Sequence, residues 1–391
     1  MTNVLIFNPL GLENGRGGEI SAMELASGLK KFYNITLMDT NLILDKVLLS
    51  KNSIIKRLHN LKKIRCMRFA QFKFLNKLFT FPFPNEIFRL YKTIRSNDII
   101  YISNFTIKTN LIFIFFNLLH RKSILIVGHR KPLFSEKFLS IYNLKNRISI
   151  LLFTIFKKRI LHHTISAHAK KFLEKFYTPN RVIHITHGVE LDNYDNSSLI
   201  QKSNDQLKFI YIGYLDDIHK GVAILFDGIE KLILEKPNLR IFFEFCGAGP
   251  LESRLNYLQE KYPEYIKYNG YIDNREISDF YKRNDVFLFT SRREPFGRVI
   301  IEALASNLLI LCTKTYGSIE ILKDMKFAFF ISELNSENIK NKLYLIYQFW
   351  EGELNKFREL QESAKNYAYR NYSFQKELNM FKMLIDRIYK K

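Results

Sequence analysis

Two glutamates between Ser291 and Ser306 could bind hydroxyl groups at separate points of an extended ligand. Glu294 precedes an apolar helical pattern that begins near Phe296, and Glu302 lies about two turns further along it. The N–H groups at such a helix start have no partner within the helix, so they could bind a phosphate or a developing negative charge. A structural interpretation also fits: Glu294 would complement the helix dipole, and Glu302 would be solvated.

A glycine pair near residue 17 could bind a phosphate in a similar way. Gly17 and Gly18 follow an apolar run and begin a helical pattern. Because glycine has no side chain, such a turn lets the backbone approach a phosphate closely. His129 ends another apolar run and is a further candidate site residue. The alternative interpretation is a structural histidine whose hydrogen bonds are satisfied within the fold.

Short apolar runs separated by helical patterns predict the strands that position these residues. The predicted strands are Val4–Asn8, Ile35–Met38, Ile99–Ser103, Ile124–Gly128, Thr164–Ser166, Val182–Thr186, Phe209–Gly213, Ile241–Cys246, Val286–Thr290, Leu309–Thr313 and Ala328–Ile331. Near-continuous apolar strands are typical of parallel sheets with helices on both faces. With a polar linker at Asp192–Gln206, the pattern predicts two doubly wound α/β domains, whose ligands bind at the carboxyl ends of the strands.

The composition excludes several classes of protein. The chain has 391 residues, of which 47% are hydrophobic and 25% charged, so it is neither disordered nor collagen-like. Three scattered cysteines, Cys66, Cys246 and Cys312, predict a reducing compartment without a disulfide framework or a zinc cluster. We expect no signal peptide, because no basic region precedes a long apolar one, and the most apolar runs are too short to span a membrane.

The net charge of +22 is concentrated in the N-terminal half. Twelve Lys or Arg lie between Lys51 and Arg95, where Glu86 is the only acid. Such a charge attracts polyanions, whether nucleic acid, anionic lipid or phosphorylated small molecules. Because no recognised nucleic-acid motif is present, we expect no nucleic-acid partner.

Five motifs between Phe209 and Asp324 resemble those of the family-four retaining glycosyltransferases, also described as group 1 glycosyl transferases. The signature is Glu294, seven residues and Glu302, with Phe-Gly inside and Ala-Leu-Ala after it. The other four, in chain order, are Gly213–Gly221, Cys246–Pro250, Tyr268–Ile272 and Gly317–Glu320. The resemblance implies the GT-B fold, an α/β architecture of two doubly wound Rossmann-like domains facing across a cleft.

The resemblance also implies roles for individual residues. Glu294 would bind hydroxyls of the donor sugar, and Glu302 the ribose of its nucleotide. Lys220 would neutralise the diphosphate, while backbone amides of Phe296, Gly297 and Arg298 would face the sugar and diphosphate.

Further residues implied by the resemblance lie outside the signature. The base would bind near Tyr271 and Ile272, the loop with Gly17 and Gly18 would approach the donor, and His129 would lie beside the reacting sugar. No metal site is expected, because the chain contains no Asp-x-Asp, and no cofactor besides a UDP- or GDP-linked donor. Tyr214 stands where the family usually has an arginine, which removes one expected phosphate partner.

The resemblance predicts an N-terminal acceptor domain over 1–195 and a nucleotide-sugar domain over 205–373, with a C-terminal helix at about 374–391 packing back on the first domain. The predicted function is transfer of a sugar, with retained configuration, to a glycan or lipid-linked acceptor in cell-surface polysaccharide or glycoconjugate synthesis. A GT-B epimerase or phosphorylase, or a non-catalytic polyanion- or membrane-binding protein, is the alternative. We expect a cytoplasmic location, or a peripheral one on the inner face of the plasma membrane.

The basic segment Ser53–Phe79 predicts contact with an anionic membrane. Its apolar residues recur at intervals of mostly three or four, with lysines and arginines between them. That is the pattern of one or two cationic amphipathic helices, which could lie in a membrane interface. The alternative is a helix that packs on the first domain.

Overall fold

The computed structural model describes residues 1–8, 17–39, 64–66, 69–74, 77–82, 84–104, 115–116, 122–130, 160–194, 204–272 and 276–389. The chain divides into two units. The first unit is Met1–His187 together with Glu377–Lys391, and the second unit is Gly188–Lys376. The division after His187 lies eight residues before the predicted domain end at 195.

The first unit is built on a seven-stranded parallel sheet with the order β3-β2-β1-β6-β7-β8-β9. Its strands are β1 (Asn3–Asn8), β2 (Asn34–Asp39), β3 (Ile64–Cys66), β6 (Ile99–Ile102), β7 (Ile124–His129), β8 (Ile160–Thr164) and β9 (Val182–His184). Among the described residues, the helices of this unit are α1 (Gly17–Leu29), α2 (Pro84–Arg95), α3 (Ala167–Leu173) and α11 (Phe374–Tyr389), of which α11 belongs to the unit from Glu377 onward.

Two apolar clusters form the core of the first unit. One contains Val4, Ile6, Leu37 and Tyr101 and is completed by residues of α11: Leu378, Phe381, Leu384 and Ile385. The other contains Leu5, Phe7, Ile100 and Leu125 together with Leu90 and Ile94 of α2. Successive residues of β1 therefore alternate between the two clusters, as a strand buried on both faces requires.

The predicted amphipathic helix at Ser53–Phe79 is wrong where the structure describes it. An antiparallel pair is present there instead, β4 (Phe69–Phe74) with β5 (Lys77–Pro82), in which Phe74 lies opposite Lys77. The aromatic residues of both strands recur at intervals of two as well as three or four, and aromatic residues favour strands. Residues 53–63 lie outside the described residues.

The second unit is built on a six-stranded parallel sheet with the order β12-β11-β10-β13-β14-β15. Its strands are β10 (Leu207–Ile212), β11 (Ile241–Cys246), β12 (Ile266–Tyr268), β13 (Val286–Phe289), β14 (Leu309–Thr313) and β15 (Ala328–Ile331). Its helices are α4 (Val222–Glu235), α5 (Glu252–Lys261), α6 (Ile277–Lys282), α7 (Arg298–Ala305), α8 (Tyr316–Leu322), α9 (Ser336–Gly352) and α10 (Leu354–Tyr372).

Outside residues 64–82, whose three strands were not predicted, the strand predictions differ from the structure by more than two residues at two places. The predicted strand Thr164–Ser166 lies earlier, at Ile160–Thr164, because Ser166 instead caps α3 and accepts a hydrogen bond from the amide of Ala169. The short strand Ile266–Tyr268 was not predicted, since only three residues pair with β11. The predicted linker begins as a 3₁₀ turn, Leu191–Tyr194, within the second unit.

Candidate functional site

The carboxyl ends of the parallel strands bring all five sequence motifs to one edge of the second sheet. The loops after β10, β11, β12, β13 and β14 all leave from this edge, because the strands point in the same direction. In a doubly wound sheet this is the edge where ligands bind.

The carboxylate of Asp216 fixes the backbone of the loop after β10. Asp216 Oδ1 accepts hydrogen bonds from the amides of His219, at 3.0 Å, and Lys220, at 2.9 Å. Thr290 Oγ1, at the end of β13, donates to the carbonyl oxygen of Lys220 over 2.8 Å. Gly221 follows with φ +63°, and a Cβ atom there would lie 2.7 Å from the carbonyl oxygen of Thr290. The backbone of Lys220 is therefore fixed while its side chain extends from the loop.

Lys220 and Glu294 form an ion pair at this edge. Lys220 Nζ lies 2.7 Å from Glu294 Oε2, and the two side chains are 28% and 19% exposed. The sequence assigned the two residues to neighbouring groups of one donor, diphosphate and sugar, and the structure brings them into direct contact. Burial, together with the charges of Asp216 and Glu294, raises the pKa of Tyr211, which lies beneath them.

Two glycines, Gly297 and Gly317, determine how the backbone runs from Glu294 to the start of α7. Helix α7 begins at Arg298, two residues after Phe296, near which its start was predicted, because Gly297 adopts φ +93° and stands outside the helix as its N-cap. A Cβ at Gly317, in the first turn of α8, would lie 2.2 Å from the carbonyl oxygen of Phe296. The amide of Gly317 also donates to the carbonyl oxygen of Glu294 over 3.0 Å. The backbone that precedes α7 is thus closely packed.

Glu302 lies on α7 away from the ion pair. Tyr281 Oη, at the end of α6, donates to Glu302 Oε2 over 3.5 Å. Tyr281 is fully buried, and burial together with the charge of Glu302 raises the pKa of its hydroxyl. The sequence did not single out Tyr281, since an isolated tyrosine in an amphipathic helix is typical of a core residue.

The turn after β12 stands next to the glycine turn after β11. The amide of Gly247 donates to the carbonyl oxygen of Gly270 over 2.8 Å, and Tyr268 Oη donates to the carbonyl oxygen of Gly247 over 2.8 Å. Beyond this turn, Tyr271 is 78% exposed and Ile272 is buried. An exposed aromatic ring beside a buried aliphatic residue is a surface on which a nucleobase can stack.

A buried carboxylate that the sequence did not reveal fixes the same turn. Glu244, on β11, is 3% exposed. It accepts hydrogen bonds from Asn269, at 3.0 Å, and Asn284, at 2.7 Å, and it forms an ion pair with Arg283. These bonds orient Asn269, two residues before Tyr271. The one feature of the sequence that could have indicated this role of Glu244 is its position as a charged residue inside an otherwise apolar strand.

In the first unit, His129 lies at the end of β7 and contacts another histidine. His129 Nε2 lies 3.0 Å from His162 Nδ1 on β8, and the ring of His162 stacks on Tyr177. Burial lowers the pKa of His129 to about 3, so its imidazole is neutral at physiological pH.

A chain of buried hydrogen bonds begins at the next residue. Arg130 is 5% exposed; it donates to Tyr101 Oη over 3.1 Å and contacts the hydroxyl of Ser21 in α1. Tyr101 Oη lies 3.0 Å from His163 Nδ1, and His163 Nε2 lies 3.0 Å from the carbonyl oxygen of Ile185. Arg130 thereby connects the end of β7 to α1, which begins at Gly17 and Gly18. The sequence did not single out Arg130, because this half of the chain contains many other lysines and arginines.

The described part of the chain holds no group of three or more His, Cys, Asp or Glu side chains that could bind a metal ion. The positively charged groups in the loops at the second-unit edge include Lys220, Arg292, Arg293 and Arg298, and the amides at the start of α7 add partial positive charge. Gly17, Gly18 and His129 belong to the first unit, and the remaining predicted site residues belong to the second.

Comparison with known proteins shows similar folds and a shared domain. The structure resembles the crystal structure of HepE from Anabaena in complex with UDP and glucose, with a TM-score of 0.73 and 16% identity over 99% of this chain and 100% of that one. It also resembles the pneumococcal O-GlcNAc transferase GtfA in complex with UDP and GlcNAc, with a TM-score of 0.72 and 14% identity over 99% of both chains. At such identities the likeness shows the fold alone, and the prediction of two Rossmann-like domains of the GT-B class is confirmed.

Sequence relatives match part of the chain only. Mannosylfructose-phosphate synthase of Agrobacterium fabrum is 28% identical over 129 residues, which are 31% of this chain and 28% of that protein. The gpi3 subunit of phosphatidylinositol N-acetylglucosaminyltransferase from Schizosaccharomyces pombe is 28% identical over 152 residues, which are 38% of this chain and 32% of that protein. The chain thus spans about a third of the length of these relatives. Residues 195–371 match the family model described as glycosyl transferases group 1.

Proposed function

We propose that the protein is a retaining glycosyltransferase that moves a sugar from a nucleotide diphosphate sugar to a glycan or lipid-linked acceptor. The observation that best supports this function is the Lys220–Glu294 pair, which lies at the ligand-binding edge of a group 1 domain and beside the start of α7. The pair supplies a cation for a diphosphate and a carboxylate for sugar hydroxyls, at adjacent positions.

The reaction replaces the phosphate oxygen at the anomeric carbon with the acceptor hydroxyl oxygen, and the hydroxyl proton leaves with the diphosphate. The transition state resembles an oxocarbenium ion, so the main requirements are stabilisation of the leaving phosphate and placement of the acceptor. Lys220 and the first amides of α7 would stabilise the leaving group. Glu294 would orient the sugar through its hydroxyls, and Glu302 would bind the ribose.

The loop with Gly17 and Gly18 would approach the phosphates, and His129 would contact the reacting sugar. With a pKa of about 3, His129 would act there as a neutral hydrogen-bonding group and not as a cation. We expect catalysis without a metal ion, and activity that persists in excess chelator.

The donor and acceptor classes follow from the chemistry of the site and from the relatives. An exposed Tyr271 beside a buried Ile272 suits stacking of a base, and UDP is present in the two structures compared above. We therefore propose a UDP- or GDP-linked donor. A relative named for a phosphatidylinositol substrate supports a lipid-linked acceptor, and with it a role in cell-surface polysaccharide or glycoconjugate synthesis.

We propose a cytoplasmic location, or a peripheral one on the inner face of the plasma membrane. No helix among the described residues combines the length and the apolar character that a membrane crossing needs. A lipid-linked acceptor would bring the enzyme to that surface.

Thermal unfolding with UDP, GDP and ADP tests the proposal. A ligand that binds only the folded state raises the unfolding temperature, and a hundredfold excess over the dissociation constant adds about 2.7 kcal/mol. We expect stabilisation by UDP or GDP that Lys220→Ala abolishes. Lys323→Ala, which changes an exposed lysine after α8, is the matched control and should behave as wild type. No stabilisation by any of the three, with no hydrolysis of a nucleotide sugar, would contradict the proposal.

A further inference from the structure

Helix α2 in the first unit exposes an aromatic and basic face. Phe88 is 71% exposed, Lys92 and Arg95 are exposed, and Tyr91 is half-buried. At 3.6 residues per turn these four side chains lie on one stripe of the helix. The opposite stripe is buried in the unit and consists of Leu90, Thr93 and Ile94.

Phe115 extends this stripe beyond the helix. The ring of Tyr91 lies 5.6 Å from that of Phe116, and the ring of Phe116 lies 5.5 Å from that of Phe115, measured between centroids. Phe115 is 59% exposed. Phe88, Tyr91, Lys92, Arg95 and Phe115 together are called the α2 face below.

The stability of the helix accounts for only part of this composition. Lys92 and Arg95 lie in the last turn, where cations complement the helix dipole. Two largely exposed phenylalanine rings contribute little to the folded unit, because most of their apolar surface stays in water. No Asp or Glu stands between Phe88 and Arg95 to reduce the positive charge.

A bilayer surface fits both properties of the face at once. Aromatic rings enter the boundary between headgroups and acyl chains, while lysine and arginine remain at the level of the headgroups. Basic residues near an anionic leaflet add attraction that salt weakens. We propose that the α2 face docks the first unit onto an anionic lipid bilayer. This inference deepens the peripheral location proposed above and does not require transferase activity.

Vesicle co-sedimentation of the full chain tests the docking. Phosphatidylcholine vesicles with and without phosphatidylglycerol are compared at low and high salt. Wild type should bind the anionic vesicles and lose binding at high salt. Phe88→Ser should lower the partition coefficient about tenfold. The double change Lys92→Gln with Arg95→Gln should lower it about 30-fold on anionic vesicles.

Met383→Ser is the matched control for Phe88→Ser. Met383 lies on α11, is also 71% exposed and follows a lysine in the same unit. The Met383→Ser variant should bind vesicles as wild type does, and UDP should stabilise all variants equally. Vesicle binding without any stabilisation by UDP would support the docking while removing the donor site.

Four results would overturn the inference: no vesicle binding by wild type, no preference for anionic lipid, equal losses in Phe88→Ser and Met383→Ser, or α2-face changes that lower binding to a single-stranded RNA oligonucleotide but not to vesicles. The last result would assign the face to nucleic acid.

Discussion

Replacing Glu294 by Gln should tighten the binding of UDP while slowing sugar transfer. Lys220 Nζ lies 2.7 Å from Oε2 of the Glu294 carboxylate. A diphosphate must share or displace that carboxylate before it can bind the lysine. The substitution keeps the size of the side chain and removes its charge, so Lys220 becomes available at lower cost. The sugar, however, loses a charged acceptor for its hydroxyls.

The size of the effect follows from the environment of the pair. Both side chains are partly buried, at 28% and 19% exposure, so the pair is screened less than one in open solvent. A partly exposed ion pair contributes up to about 1 kcal/mol, and the Gln amide oxygen can still accept the hydrogen bond but no longer supplies the attraction between opposite charges. The difference of about 1 kcal/mol corresponds to a roughly fivefold lower dissociation constant for UDP.

Isothermal titration with UDP measures the binding, and turnover of the donor measures the chemistry. In Glu294→Gln we expect the roughly fivefold tighter UDP binding together with turnover lowered about 10²–10³-fold. Glu302→Gln is the contrasting variant: it should weaken UDP binding and change the turnover of bound donor less. The double-mutant cycle with Lys220→Met separates the ion pair from simple repulsion between carboxylate and phosphate.

Two results would refute this reasoning. Unchanged or weaker UDP binding in Glu294→Gln would show that the ion pair does not compete with the diphosphate. An equal gain in the Lys220→Met background would show that Glu294 acts on the ligand directly and not through the lysine.

Three further expectations concern turnover and stability. Lys220→Ala should lower turnover about 10²–10³-fold, as expected for loss of one charged donor to a developing phosphate charge, with little change in unfolding temperature; wild-type turnover would remove Lys220 from the site. Gly317→Ala should destabilise the second unit by about 1–3 kcal/mol in urea unfolding, since its Cβ would lie 2.2 Å from the carbonyl oxygen of Phe296; unchanged stability would contradict the close packing. Burial holds the pKa of His129 near 3 and that of His162 well below its usual value. The unfolded state therefore takes up protons first as the pH falls through about 6.5, and His129 should cost about 2 kcal/mol of stability at a pH of about 5, with a further loss from His162. His129→Asn should lessen this acid sensitivity, and an equal loss of stability in the variant on acidification would exclude His129 as its source.

The second unit was predictable because its motifs fix chain positions that a parallel sheet then collects at one edge. Strand bounds at Ile241–Cys246 and Leu309–Thr313 agree with the prediction to the residue, since long apolar runs bounded by polar residues leave little choice of ends. The ion pair between Lys220 and Glu294 was not predictable. Motif spacing locates the two residues on neighbouring loops, but the rotamers that join their side chains depend on packing.

The contact between His129 and His162 in the first unit was not predictable, because it depends on the register in which β7 pairs with β8. Val127 is the partner of His162 in the pairing of β7 with β8. Residues two apart share a face of a strand, so His129 lies one step along the sheet from His162, on the same face. A one-residue slip would have separated the two rings. The sequence displays both histidines but not the register that makes them neighbours.

The first unit is begun first during synthesis, but its core can be completed only after the second unit has been synthesised, because the core includes helix α11. Leu378, Phe381, Leu384 and Ile385 fill a cluster that also contains Tyr33 and Tyr101, and Tyr33 Oη donates to Asp386 Oδ1 over 2.7 Å. Domains usually fold in the order in which the ribosome releases them. All described strands of the second unit are synthesised before α11. The apolar cluster of the first unit cannot be completed until α11 has been synthesised, so part of that cluster remains exposed until then. A nascent chain of this protein should therefore expose its N-terminal part to chaperones until nearly the whole described sequence has been translated.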